Sequence, residues 1–97
     1  MSKHKILVVD ADLNVCELIA GYFTQRNYAV EVAITGSDCL ASVRNELPDV
    51  ILIETELPDM SGYDVVRKLC EDETTKYIPV IYLTELQKRH PGGILLS

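Results

Sequence analysis

The sequence has no tryptophan, a single phenylalanine and only three cysteines, Cys16, Cys39 and Cys70. Three widely spaced thiols cannot complete a disulfide framework, and no Cys-x-x-Cys pair offers zinc a ligand set. They read as buried or half-buried reduced thiols, the pattern of a cytoplasmic protein. Long hydrophobic runs are also missing. The most apolar stretch, around residues 50–53, falls far short of the ~20 residues a membrane-spanning helix needs. The apolar segment after the basic N-terminus, residues 6–9, ends at Asp10 and is too short for a signal peptide. Positive charge is scarce, with nine Lys and Arg against fifteen Asp and Glu and a net charge of −6. Nucleic-acid binding rests on neutralising phosphates, so this balance argues against it. Lys88-Arg89-His90 is the one dense basic patch and reads as a solvated tail. His4 and His90 lie near the chain ends, with no Cys or Ser at a catalytic spacing.

What is present is an alternation of two periods along 97 residues, a length that bounds the chain to one domain with a modest core. Residues 5–9 form a continuous apolar run that stops at Asp10, as in a strand covered on both faces. From Asp12 to about Arg26 the apolar residues Leu13, Cys16, Ile19 or Ala20, and Phe23 fall three or four apart, which predicts an amphipathic helix with Asp12 as its N-cap. Residues 28–33 alternate and predict a second strand. Thr35, with Asp38 three residues on, has the form of a capping box, and the helix behind it turns Leu40, Val43 and Leu47 inward before Pro48. Residues 49–53 are the most apolar strand, hence a central one, and end at Glu54. Ser61, with Asp64 three later, caps a third helix carrying Val65, Val66, Leu69 and Cys70. Residues 77–83 predict a fourth strand, with Pro79 near its beginning, where a missing N–H is tolerated. The order β-α-β-α-β-α-β implies a parallel sheet with right-handed crossovers. After Thr84 the pattern collapses into a polar segment broken by Pro91-Gly92-Gly93. The expected division is therefore a domain over residues 1–85 and an irregular, truncated tail over 86–97.

In open α/β sheets ligands sit at the carboxyl ends of the strands. Asp10, Glu54 and Thr84 fall at three such ends. Two carboxylates and a hydroxyl on one edge suit a Mg²⁺ ion and a phosphoryl group, because Mg²⁺ takes one or two carboxylates and keeps several waters. The surrounding strings are specific. Val8-Val9-Asp10-Ala11-Asp12, then the block from Pro48 through Glu54-Thr55-Glu56-Leu57-Pro58-Asp59-Met60-Ser61-Gly62, then Ile78-Pro79-Val80-Ile81-Tyr82-Leu83-Thr84, together resemble the receiver domain of two-component response regulators, over residues 5 to about 85. The resemblance implies a flavodoxin-like, doubly wound α/β fold with strand order 2-1-3-4, its fifth strand missing or replaced. It also implies a phosphorelay in which a kinase histidine passes a phosphoryl group to an aspartate after the third strand. Mg²⁺ would be held by acidic residues after the first strand, by that aspartate and by a backbone carbonyl two residues on. Here those positions are Asp10, Glu54 and the carbonyl of Glu56, and Thr84 matches the hydroxyl that follows the phosphoryl group.

Three departures accompany the match. The phosphoacceptor position is Glu54 rather than Asp, the second acid after the first strand is replaced by Ala11, and the family's lysine followed by proline has no counterpart, since Lys88 lies only four residues past Thr84. A carboxylate moved by one methylene is misplaced for in-line transfer, where about 1 Å of error costs ~10²-fold. The expected function is thus a pseudo-receiver, impaired in phosphorylation, that binds Mg²⁺ weakly if at all, is not an enzyme, and works by contact with a signalling protein such as a histidine kinase or effector. Glu54 either imitates the charge of a phosphoaspartate or marks a decayed site. Alternatives are a slow Mg²⁺-dependent phosphoacceptor and a truncated receiver product. A dinucleotide-binding fragment is disfavoured because the turn Asp10-Ala11-Asp12-Leu13-Asn14 lacks glycine and would repel a pyrophosphate. The strand at residues 78–83 would be a sheet edge that invites self-association.

Overall fold

The computed structural model describes residues 3–83. The element order is β1 (Lys5–Val9), α1 (Leu13–Thr24), β2 (Ala29–Ala33), α2 (Gly36–Asn45), β3 (Val50–Ile53), α3 (Gly62–Cys70) and β4 (Val80–Tyr82). All pairings are parallel, and the sheet order is β2-β1-β3-β4. The expected doubly wound α/β architecture is therefore present, with β1 and β3 in the middle. The apolar sequences of β3 and of β1 after Lys5 follow from that position, because each side chain meets a helix layer whichever way it points. Leu7, Val9, Ile51 and Ile53 join Cys39 and Val43 of α2 and Val65 and Leu69 of α3 in one core. Ile6, Val8 and Leu52 join Cys16 and Ile19 of α1 in the other.

All three helices start on side-chain caps. Asp12 accepts from the Asn14 N–H at 2.9 Å, Thr35 from the Asp38 N–H at 3.0 Å, and Ser61 from the Asp64 N–H at 3.1 Å. Caps of this kind contribute about 1 kcal/mol each. Asn27, at φ 71, makes the left-handed turn from α1 into β2, a conformation Asn tolerates better than most residues. At the amino end of the sheet, Lys5 Nζ lies 2.6 Å from Glu31 and 2.8 Å from Glu46, while its main-chain N–H donates to Asp49.

Several local expectations need correction. The fourth strand begins at Val80, not residue 77. Thr75 and Ile78 close a turn first, which leaves Tyr77 80% exposed. Leu47 lies beyond the end of α2 and is exposed, and Cys39 takes the core position instead. Leu13 is exposed in the first turn of α1. Cys16 and Cys39 are buried free thiols, but Cys70 is exposed. Thr84 and the tail over residues 86–97 lie outside the described residues.

Candidate functional site

The carboxyl ends of β1 and β3 bring Asp10 and Glu54 to one edge. The main chain fixes both: the Asp10 N–H donates to Ala33 O at 3.1 Å, and the Glu54 N–H donates to Val9 O at 2.9 Å. The parallel ladders thus run out on the two acids themselves. Asp10 is buried, at 8% exposure. Its Oδ1 accepts the Asp12 N–H at 2.9 Å, and its carbonyl accepts the Cys16 thiol at 3.2 Å. Burial raises the Asp10 pKa above the usual carboxylate value. The Asp12 N–H opposes that shift, and the nearby negative charges of Glu54 and Asp12 add to it.

Glu54 has a different posture. Its Oε1 accepts both the N–H of Thr55 at 2.9 Å and the Thr55 hydroxyl at 3.2 Å. The extra methylene lets the carboxylate curl back over the next residue, which the shorter aspartate side chain reaches less easily. Asp12 is engaged as the cap of α1, so it does not take the role left open by Ala11, which is exposed.

The donor set suits a divalent cation, although sparsely. Asp10 and Glu54 repel one another across the edge, and a cation between them would relieve that repulsion. Among the described residues no three His, Cys, Asp or Glu side chains converge on a common metal position. Two carboxylates and the Glu56 carbonyl would be the protein's ligands, with water supplying the remainder of an octahedron.

The loop behind Glu54 is built as tightly as the strands. Gly62 donates to Thr55 O at 2.8 Å, and Glu56 pairs with Ser61 across the loop. A Cβ on Gly62 would collide with the Glu54 carbonyl oxygen, so the glycine is required by close approach. Asp59 reaches from the loop to α2, where its two oxygens accept the N–H groups of Gly36 at 2.8 Å and Ser37 at 2.9 Å. Those two bonds hold the Asp59 carboxyl below the usual range. Sequence reasoning quoted Asp59 and Gly62 as part of a motif but assigned neither a role. A glycine directly after the Ser61 cap, at the end of the Leu-Pro loop, was the available signal for Gly62. Asp59 had none, because its partners lie 22 and 23 residues away.

A parallel four-stranded sheet with acids at the ends of β1 and β3, the second followed by a braced Leu-Pro loop, is the architecture of a receiver. The response regulator receiver domain model matches residues 6–91, and the chain belongs to that family. The response regulator PleD of Caulobacter vibrioides is 39% identical over 89 residues, which are 92% of this chain and 19% of that protein. The chain therefore spans about a fifth of that relative's length. The N-terminal domain of a response regulator receiver protein from Methanoculleus marisnigri JR1 superposes with a TM-score of 0.80 at 26% identity, covering 84% of this chain and 66% of that one. The chemotaxis response regulator CheY4 of Vibrio cholerae, at 21% identity, shares the fold with a TM-score of 0.81 over 99% of this chain and 82% of its own. Among the described residues no helix is long and apolar enough to cross a membrane.

Proposed function

We propose that this receiver domain is impaired in phosphorylation and signals by contact with another protein, a histidine kinase or an effector, rather than as an enzyme. The observation that carries this reading is the Glu54 carboxylate, folded onto the N–H and hydroxyl of Thr55. At that position the protein has a carboxylate already bound to the loop donors. A phosphoryl acceptor would instead need its oxygen free and aligned for in-line attack. The replacement of the second acid by Ala11 supports the same conclusion, since among the described residues it leaves Asp10 and Glu54 as the charged ligands for Mg²⁺ and makes binding weak. When bound, the ion would neutralise charge at this edge. Asp10, Glu54 and the Glu56 carbonyl would hold it.

The test uses intact-mass measurement after incubation with acetyl phosphate and Mg²⁺. The wild-type chain is expected to gain no phosphoryl mass. The double variant Glu54→Asp, Ala11→Asp, which shortens the acceptor and returns the second carboxylate, is expected to gain it. Phosphoryl mass on the wild-type chain, mapped to Glu54, would overturn the proposal in favour of a slow Mg²⁺-dependent phosphoacceptor. Self-association through β4 is a second feature of this reading. Ile81 is 43% exposed, and among the described residues β4 pairs only with β3. Light scattering over a concentration series should show a dimer, and a strict monomer would refute it.

A further inference from the structure

The first turn of α2 is fully satisfied, and half of its partners come from the acidic site's own loop. Helices leave their first N–H groups without intrahelical acceptors. In α2 the Gly36 and Ser37 N–H groups go to Asp59, the Asp38 N–H goes to the Thr35 hydroxyl, and the Cys39 N–H begins the helical ladder on Thr35 O. A carboxylate accepting two N–H groups at a helix start is charge-assisted and matched to the helix dipole. A van der Waals contact reinforces it, because Met60 packs so closely on Gly36 that a Cβ there would strike its side chain. At its other end the loop is pressed onto the site: Gly62 bonds Thr55 O and leaves no room for a Cβ beside Glu54 O. The segment from Glu54 to Gly62 is therefore a braced body with one end on the acidic edge and the other on α2.

We propose that Asp59 is a positioning residue that couples position 54 to α2, so that a change of charge at Glu54 is felt at Gly36 and Ser37. This rests on reading position 54 as the signalling position of the domain. Glu54 holds the Thr55 N–H and hydroxyl, and Thr55 O in turn holds Gly62. Loss of charge at Glu54 loosens Thr55 and allows the braced loop to shift. Asp59 shifts with it, and its two acceptor oxygens move relative to the start of α2. The Asp59 bond pair, closed or open, is the two-state element that such coupling requires. α2 thereby becomes a surface whose conformation depends on the site.

The experiment compares backbone amide NMR spectra of the full chain in four forms: wild type, Glu54→Gln, Asp59→Ala, and the double variant. In the Asp59 background, Glu54→Gln should move the Thr55 amide and also the Gly36 and Ser37 amides. In the Asp59→Ala background the same change should still move Thr55 but leave Gly36 and Ser37 in place. Equal movement of Gly36 and Ser37 in both backgrounds, or no movement in either, overturns the coupling. If Asp59→Ala does not fold, Asp59→Asn serves instead, since it keeps one acceptor oxygen and should show a reduced but detectable response at Gly36; an undiminished response at both amides overturns the proposal. No phosphodonor is used, so failure of the coupling is separate from failure of the phosphorylation reading, which mass measurement decides.

Discussion

At the scale of single residues, the site works against the fold. Asp10 is the buried carboxylate among the described residues, and it sits where burial and the charges of Glu54 and Asp12 disfavour its ionised form. Its folded pKa lies above the unfolded one, so the ionised acid is less favoured in the native state than in the unfolded chain. The stability cost tied to Asp10 is then absent below the ordinary value of 3.8 and is imposed as the pH rises through the folded pKa. Asp10→Asn retains an oxygen to accept the Asp12 N–H and removes the charge. It should stabilise the protein by about 1 kcal/mol at neutral pH, as relief of functional-site strain often does, while weakening any cation binding. Urea denaturation near pH 7 and below pH 4 measures both parts: the gain should appear at the higher pH and shrink at the lower. A loss of stability at neutral pH would mean that Asp10 is stabilised by its surroundings and that the repulsion described here is not dominant.

At the scale of elements, the parts that could be read from sequence are those with local causes. Asp12, Thr35 and Ser61 announce the three helix starts because each cap bonds an N–H two or three residues on, and a capping signal is contained in that short string. The apolar runs of β1 and β3 marked them as covered strands, and the family resemblance implied their order. The start of β4 was misjudged because the apolar residues Tyr77 and Ile78 continue the strand pattern, whereas the backbone is first closed by the Thr75–Ile78 bond. The placement of Asp10 and Glu54 on one edge of the sheet was legible from their positions after apolar strands. The fold-back of Glu54 onto Thr55 and the reach of Asp59 to α2 were not, since a side-chain rotamer and a long-range bond leave no periodic trace. The caps give a clean prediction. Thr35→Ala removes the acceptor for one N–H of α2 and should cost about 1 kcal/mol, seen as a lower urea midpoint with an unchanged slope. Because Asp59 still holds Gly36 and Ser37, the helix itself should persist by circular dichroism. Disappearance of the α2 signal would show that Thr35, not Asp59, is the principal cap.

At the scale of the molecule, the two ends of the sheet are electrostatic opposites. The carboxyl end gathers like charges at Asp10 and Glu54. The amino end binds opposite ones, with Lys5 joined to Glu31 of β2 and to Glu46 beyond α2, while its backbone is held by Asp49 ahead of β3. One side chain at 13% exposure therefore ties together two strands and the α2–β3 connection in a chain of net charge −6. Burial alone would lower the Lys5 pKa, but the bonds and charges of Glu31 and Glu46 outweigh it and the net shift is upward. The stabilisation is then complete below the unfolded value of 10.5 and is lost as the pH rises through the folded one. Lys5→Met keeps the aliphatic stem and removes the charge, leaving Glu31 and Glu46 facing one another. It should cost about 1–2 kcal/mol at neutral pH, between the small value of exposed pairs and the larger one of broken buried pairs. The difference from wild type should shrink as the pH rises past 10.5 and the native lysine itself discharges, and high salt should also reduce it by screening the exposed carboxylates. An equal loss at pH 7 and pH 11.5 would assign the effect to packing of the stem and remove the ion pairs from the account of what holds this end of the sheet.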